Sequence, residues 1–177
     1  MTRDLEGPST TRRIRAGGLS KSALLSQLAS AGVLLNEAAR ELFADARFTT
    51  SPTASLVEVV ELPVSSLALD GDATFCRIVE RAARHGLAPC PLEVAPHFRL
   101  QYTDQPEGSH GHPPSRHRAP PGSITVCSVP FAEDDDTPKG FYLRRIDGVP
   151  WLRGYRSWPG HLWSPDDVFA FMRPTRA

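Results

Sequence analysis

Between residues 141 and 157, arginines alternate with aromatic rings, in a pattern suited to holding an anion against a flat surface. Phe141–Ile146 (FYLRRI) and Val149–Arg156 flank Asp147-Gly148, the dipeptide expected of a two-residue type I′ hairpin turn. With that turn Ile146 faces Val149, Arg144 faces Trp151 and Tyr142 faces Arg153. Strand alternation then places Phe141, Leu143, Pro150 and Leu152 on an apolar side suited to helix packing. Tyr142, Arg144, Trp151, Arg153 and Tyr155 fall on the other side. A guanidinium fork pairs a phosphate or carboxylate through two parallel hydrogen bonds, and an indole or phenol ring stacks a base or sugar. These five residues are the ligand-binding candidates for an anionic or aromatic ligand, a nucleotide or RNA among them. The competing reading is structural: cross-strand arginine–aromatic pairs also stabilise a solvated sheet, by tenths of a kcal/mol up to about 1 each.

A second set suits acid–base chemistry. Glu93, His97 and Arg99 lie close together, and His97–Tyr102 (HFRLQY) alternates as a strand would, with Phe98, Leu100 and Tyr102 inward and His97, Arg99 and Gln101 outward. If that strand neighbours the hairpin, Arg144 or Arg153 approaches His97 and Glu93. Glu93 as base, His97 as acid and arginine on the phosphate would make a metal-independent hydrolase or ribonuclease-like enzyme, the alternative to a noncatalytic binding module. Other candidates are weaker. His110, His112 and His117 have ligand chemistry but sit among Gly and Pro with nothing to orient them, so no metal is expected there. The acidic run 133–136 lacks the spacing and glycine of an EF-hand loop and reads as a solvated turn. Cys76 and Cys127 have no sequence neighbour that marks a nucleophile, and burial is their default. No cofactor is expected.

The elements that must position these residues follow from periodicity. Leu24, Leu25, Leu28 and Ala31 recur helically behind a serine cap and before Gly32, and a second helix starts at Asn36 and buries Ala39, Leu42 and Phe43. The short Gly32–Leu35 connection permits a helix-turn-helix reading, but Glu37, Glu41 and Asp45 on the second helix repel phosphate, which favours a packing hairpin. Ser55–Val64 reads as a strand. A helix capped by Asp70 or Asp72 runs to Arg84, with Phe75, Ile78, Val79 and Ala82 as its buried stripe. Ser123–Val129 and Val168–Met172 are strands, and residues 103–122, rich in Pro, Gly and His, read as a mobile loop. Residues 1–19 have no apolar period and four arginines, and read as a disordered basic arm.

The chain has 177 residues, enough for one domain, with 40% hydrophobic and 23% charged residues and a formal net charge of zero. Neutrality removes the basic excess of a general nucleic-acid or anionic-membrane binder, so any such contact must come from a local patch. The longest apolar runs are far shorter than the roughly 20 residues that span a bilayer, so no membrane partner is expected. Three cysteines without CxxC spacing and no signal-peptide pattern point to a reducing, cytoplasmic location. Only Lys21 and Lys139 among the 20 basic residues are lysines, a bias of GC-rich, bacterial genomes.

LNEAARELF (35–43), CPLEVAPHFRLQYTDQP (90–106) and KGFYLRRIDGVPWLRGYRS (139–157) resemble a family of small uncharacterised bacterial proteins, some of which carry the label "helicase". The resemblance spans roughly residues 20–173 and implies no established activity. The label has no counterpart in the residues. The nearest approach to a phosphate-cradling GxxxxGK[ST] loop is Gly17-Gly18-Leu19-Ser20-Lys21-Ser22, which has serine where glycine must precede lysine. The expected architecture is α+β: residues 1–19 outside, then a single domain over 20–177 with about three helices packed on one face of a largely antiparallel sheet of five or six strands.

Overall fold

A computed structural model of the protein describes residues 5, 7–108 and 119–174. In it Asp147 and Gly148 both take positive φ, 52° and 76°, the paired left-handed geometry of a type I′ turn. That turn joins Gly140–Ile146 to Val149–Tyr155 in the register expected, with Arg144 opposite Trp151 and Tyr142 opposite Arg153.

In chain order the elements are β1 (Thr10–Ala16), α1 (Lys21–Ser30), β2 (Leu34–Leu35), α2 (Glu37–Ala44), β3 (Ser55–Pro63), β4 (Ala73–Thr74) and α3 (Phe75–Arg84). They continue with α4 (Val94–Gln101), β5 (Ile124–Val126), β6 (Gly140–Ile146), β7 (Val149–Tyr155), β8 (Leu162–Trp163) and β9 (Val168–Arg173). A 3-10 turn, Val64–Leu67, follows β3. The architecture is α+β, with seven strands in the order β1-β3-β9-β5-β6-β7-β2 and a small β4-β8 pair. Pairing is antiparallel except where β9 meets β5 and β7 meets β2. Among the described residues, four helices and a seven-stranded, mostly antiparallel sheet with a separate two-stranded pair replace the three helices and five or six strands expected from sequence.

Three expectations are corrected. The disordered basic arm over residues 1–19 contains β1: Thr10–Ala16 pairs along β3 from Glu61 to Ser55 and buries Ile14 and Ala16. Its own composition is too polar to reveal a strand; the pairing partner lies dozens of residues away. His97–Tyr102 is not a strand, because Val94–Gln101 is helical. Pro96 sits in the first helical turn, where its missing N–H costs nothing, and Val94, Ala95, Phe98 and Tyr102 form a buried stripe at helical spacing. Finally, the helices do not share one face. Leu24, Leu28, Ala39, Leu42, Phe43, Val94 and Phe98 of α1, α2 and α4 pack with Val59, Val126, Phe141, Leu143 and Leu152. Ile78 and Ala82 of α3 pack instead with Val60, Leu62, Phe169 and Phe171, the alternate residues of the same strands. Each central strand is therefore buried on both sides, and two cores flank one sheet.

Capping follows local chemistry. Ser20 Oγ accepts from Ala23 N at 3.2 Å, and Asn36 Oδ1 accepts from Ala39 N at 3.0 Å. Cap expectations fail at α3, where Thr74 rather than Asp70 or Asp72 holds the N-cap position and makes no side-chain cap bond. Of the expected loop 103–122, residues 109–118, with His110, His112 and His117, lie outside the described residues. Within the rest Gln105 is 2% exposed, and its Nε2 donates to Gly122 O at 3.1 Å and Leu143 O at 3.2 Å.

Candidate functional site

The two cores leave one stretch of sheet uncovered by helix: the side of the β6–β7 hairpin that faces away from α2 and α4. Alternation brings Tyr142, Arg144, Trp151 and Arg153 together there, all half-buried, beside Thr125 of β5. Arg144 and Arg153 are diagonal neighbours, a relation that sets Cβ atoms roughly 7–8 Å apart. The Arg153 guanidinium stacks 5.0 Å from the centre of the Trp151 ring. Arg144 stands opposite the same indole, with the backbone of Gly108 close to its Nε. Among the described residues neither guanidinium has a carboxylate partner, and the Nε of each is buried without a hydrogen-bond acceptor.

Tyr155, the fifth residue of this set, is placed differently. Its ring meets Trp163 edge-on at 5.6 Å and packs against the second core, and burial pushes its phenol pKa far up. It forms the rim of the face rather than its surface. Beyond it an aromatic series continues: Trp163 to His161 at 4.9 Å and His161 to Trp158 at 5.0 Å. Trp158 is 47% exposed, and the Trp163 Nε1 donor is buried with no acceptor among the described residues. His161 and Trp163 lie beyond the hairpin pattern; the density of aromatic residues, eight from Phe141 to Phe171, is the sequence signal that points to them.

The acid–base set comes together only in part: Glu93 and His97 lie one helical turn apart, and Arg99 and the hairpin arginines are elsewhere. Glu93 and His97 sit at the start of α4 and within it, and each is engaged with backbone: Glu93 Oε2 accepts from Ser51 N at 2.9 Å, and His97 Nε2 accepts from Gly17 N at 3.0 Å. Burial lowers the His97 pKa, with Glu93 partly offsetting it. Arg99, two residues on, points roughly 200° around the helix from His97. Its guanidinium donates to Gln105 Oε1 and to Tyr102 O. Arg144 and Arg153 lie on the far side of the sheet from α4, so the expected approach to His97 does not occur. A strand would have aligned His97 with Arg99; the helical period separates them.

Gly17-Gly18 joins β1 to α1 and so follows a strand, not an arm. Its amides are spent internally, Gly17 N on His97 and Gly18 N on Ser51 O at 2.8 Å, while Lys21 Nζ donates to Asp45 O at 2.9 Å. A loop that cradles phosphate must present such groups to the ligand. In the acidic run, Asp134 accepts from Thr137 N at 2.7 Å and Asp136 N at 3.1 Å, an Asx-type turn. No group of three or more His, Cys, Asp or Glu side chains among the described residues could hold a metal ion. Comparison with protein-family models, with curated proteins and with solved structures finds no match.

Proposed function

We propose that this protein is a noncatalytic binding module that takes an anionic ligand with a flat, stackable body on the open side of the β6–β7 hairpin, a nucleotide or short RNA being the class that fits. The observation that carries this reading is the pair Arg144 and Arg153, which flank one indole with no acid to neutralise them among the described residues. A half-buried arginine loses hydration, and without a partner that loss is offset only when an anion arrives. In this reading Arg144 and Arg153 pair phosphate or carboxylate oxygens, Trp151 stacks the flat part of the ligand, and Tyr142 closes the patch beside Arg153. Tyr155 fixes the rim.

The three cysteines are free thiols, and among the described residues no helix is long and apolar enough to cross a membrane. The free thiols are what supports a reducing, cytoplasmic setting. The test is titration of a panel of mononucleotides and short RNAs against the wild-type chain and the Arg144→Ala and Trp151→Ala variants, with melting curves alongside. Saturable binding that both variants weaken supports the proposal. Absence of binding across the panel removes it, and unfolding of Trp151→Ala would reassign that indole to the core.

A further inference from the structure

On the other side of the sheet, a cleft of about 230 Å³ opens between the C-terminal end of α4 and the tip of the hairpin, lined in part by Arg99, Arg145, Leu100, Val33, Ala31 and Pro150. We infer that this cleft binds a small organic carboxylate, with Arg99 and Arg145 as its cationic wall and the aliphatic residues receiving its apolar body. This site is independent of the hairpin face proposed above.

The charge balance points there first. Arg99 is 3% exposed and has no carboxylate partner among the described residues. Its two bonds go to neutral oxygens, Gln105 Oε1 and Tyr102 O, and its Nε has no acceptor among the described residues. The carbonyl end of α4 supplies only a partial negative charge, on the order of half a unit. Buried arginines ordinarily carry a full counter-charge, because an unpaired one leaves its desolvation uncompensated. Burial lowers the Arg99 pKa to about 10; Tyr102 opposes the shift and Arg145, a like charge, adds to it.

Arg145 has its own acid, Glu107, at 3.4 Å, and that carboxylate also accepts from Gly148 N at 2.8 Å. Two arginines and one carboxylate leave one positive charge over, which fits a monoanion. The guanidinium of Arg99 is held ready for one: Gln105, which anchors it, is itself fixed to two backbone carbonyls. Ala31, Val33, Leu100 and Pro150 suit a short hydrocarbon tail, Tyr102 and Thr103 add hydroxyls that can meet a carboxylate, and the lining holds no cation beyond the two arginines for the second charge of a phosphate dianion.

The experiment is calorimetric titration of the full chain with sodium butyrate and, separately, with inorganic phosphate, in chloride at matched ionic strength. The expected result is saturable butyrate binding. Arg145→Gln should weaken it about tenfold, the effect of one charge-assisted hydrogen bond. Ala31→Phe, at an exposed position, should block the cleft without lowering the melting temperature, and Arg77→Ala on the exposed side of α3 should change nothing. Arg99→Gln should abolish binding; if that variant fails to fold, Arg145→Gln and Ala31→Phe decide the matter. No saturable binding of butyrate, or butyrate binding indifferent to both of those variants, overturns the inference. Phosphate binding that is tighter than butyrate binding and is lost with Arg145→Gln and Ala31→Phe overturns the carboxylate assignment. Because the hairpin face is tested with nucleotides and RNA and with different variants, either proposal can fail while the other stands.

Discussion

Arg153 lies over an indole instead of an acid, which makes its planar shape as important as its charge. Arg153→Lys keeps the charge and loses the fork and the stacking, so it should weaken capture of a nucleotide or RNA on the hairpin face. Arg144→Ala and Trp151→Ala should each cost about 1–3 kcal/mol of binding, the range for bidentate pairs and base stacking, with small changes in melting temperature. Titration and melting curves on the same samples check both. His97 sets a pH dependence of stability. Its imidazole must be neutral to accept from Gly17 N, and its folded pKa lies below the ordinary 6.5. The unfolded chain therefore takes up the proton first, and stability is intact above that ordinary value and falls as pH drops below it toward the folded value. Melting temperatures between about pH 7.5 and 5 should fall less steeply for His97→Gln, whose amide oxygen accepts without titrating. Equal slopes would show that another group controls the acid limb. Thiol chemistry should divide as burial does: Cys76 is exposed, while burial raises Cys90 to about 12 and Cys127 well above its usual value. A thiol-specific chromogenic reagent should modify one cysteine in the native protein and all three after denaturation.

Two amide side chains finish backbone hydrogen bonding on strands that helices approach. Asn36 Nδ2 donates to Gly154 O at 2.9 Å and its Oδ1 accepts from Gly154 N at 2.8 Å, docking the start of α2 against β7. Gln101 does the same for β1, accepting from Arg15 N at 2.9 Å and donating to Arg15 O at 2.8 Å. Unpaired strand edges template aggregation, and these contacts occupy part of both. Asn36→Ala removes a helix cap together with a sheet contact and should cost about 1–3 kcal/mol in chemical denaturation. Gly154 permits the close approach: a Cβ there would meet the Ala38 carbonyl carbon at 2.6 Å, so Gly154→Ala should destabilise as strongly. For β1, removal of residues 1–16 should lower the melting temperature by many degrees or prevent folding, because it uncovers Val57 and Val59 and deletes the Arg12–Glu61 pair at 2.5 Å. Arg12 also lies 3.8 Å from the centre of the Tyr102 ring, tying this strand to the end of α4. A truncated chain that melts like the full one would return these residues to the status of an arm.

At the scale of the whole molecule, one sheet separates the two surfaces proposed for recognition: the arginine–aromatic face of the hairpin and the cleft beside α4. Neither presents a strand-to-helix loop with free amides, since Gly17 N and Gly18 N are both consumed within the fold. The purified chain should therefore hydrolyse no ATP and unwind no duplex. Hydrolysis that survives repurification and rises with added nucleic acid would contradict this.

What the residues determine alone is what short-range chemistry fixes. Asp147-Gly148 specifies its turn, the turn specifies which residues of β6 and β7 face each other, and Ser20 and Asn36 cap their helices through bonds only three residues long. The hairpin's binding candidates were legible for that reason. Tertiary structure decided the rest. HFRLQY alternates as a strand and also contributes to a helical stripe with Val94 and Ala95; packing on β1, α1 and the hairpin selects the helix and so parts His97 from Arg99. Thr10–Ala16 becomes a strand only because β3 offers it backbone partners, and α3 crosses to the second face because Phe169 and Phe171 of β9 need cover there. Local bonds can be read within a few residues. The burial that leaves Arg99 without a counter-charge depends on groups brought together from α4, the 103–108 segment and the hairpin, and no window of sequence contains them all.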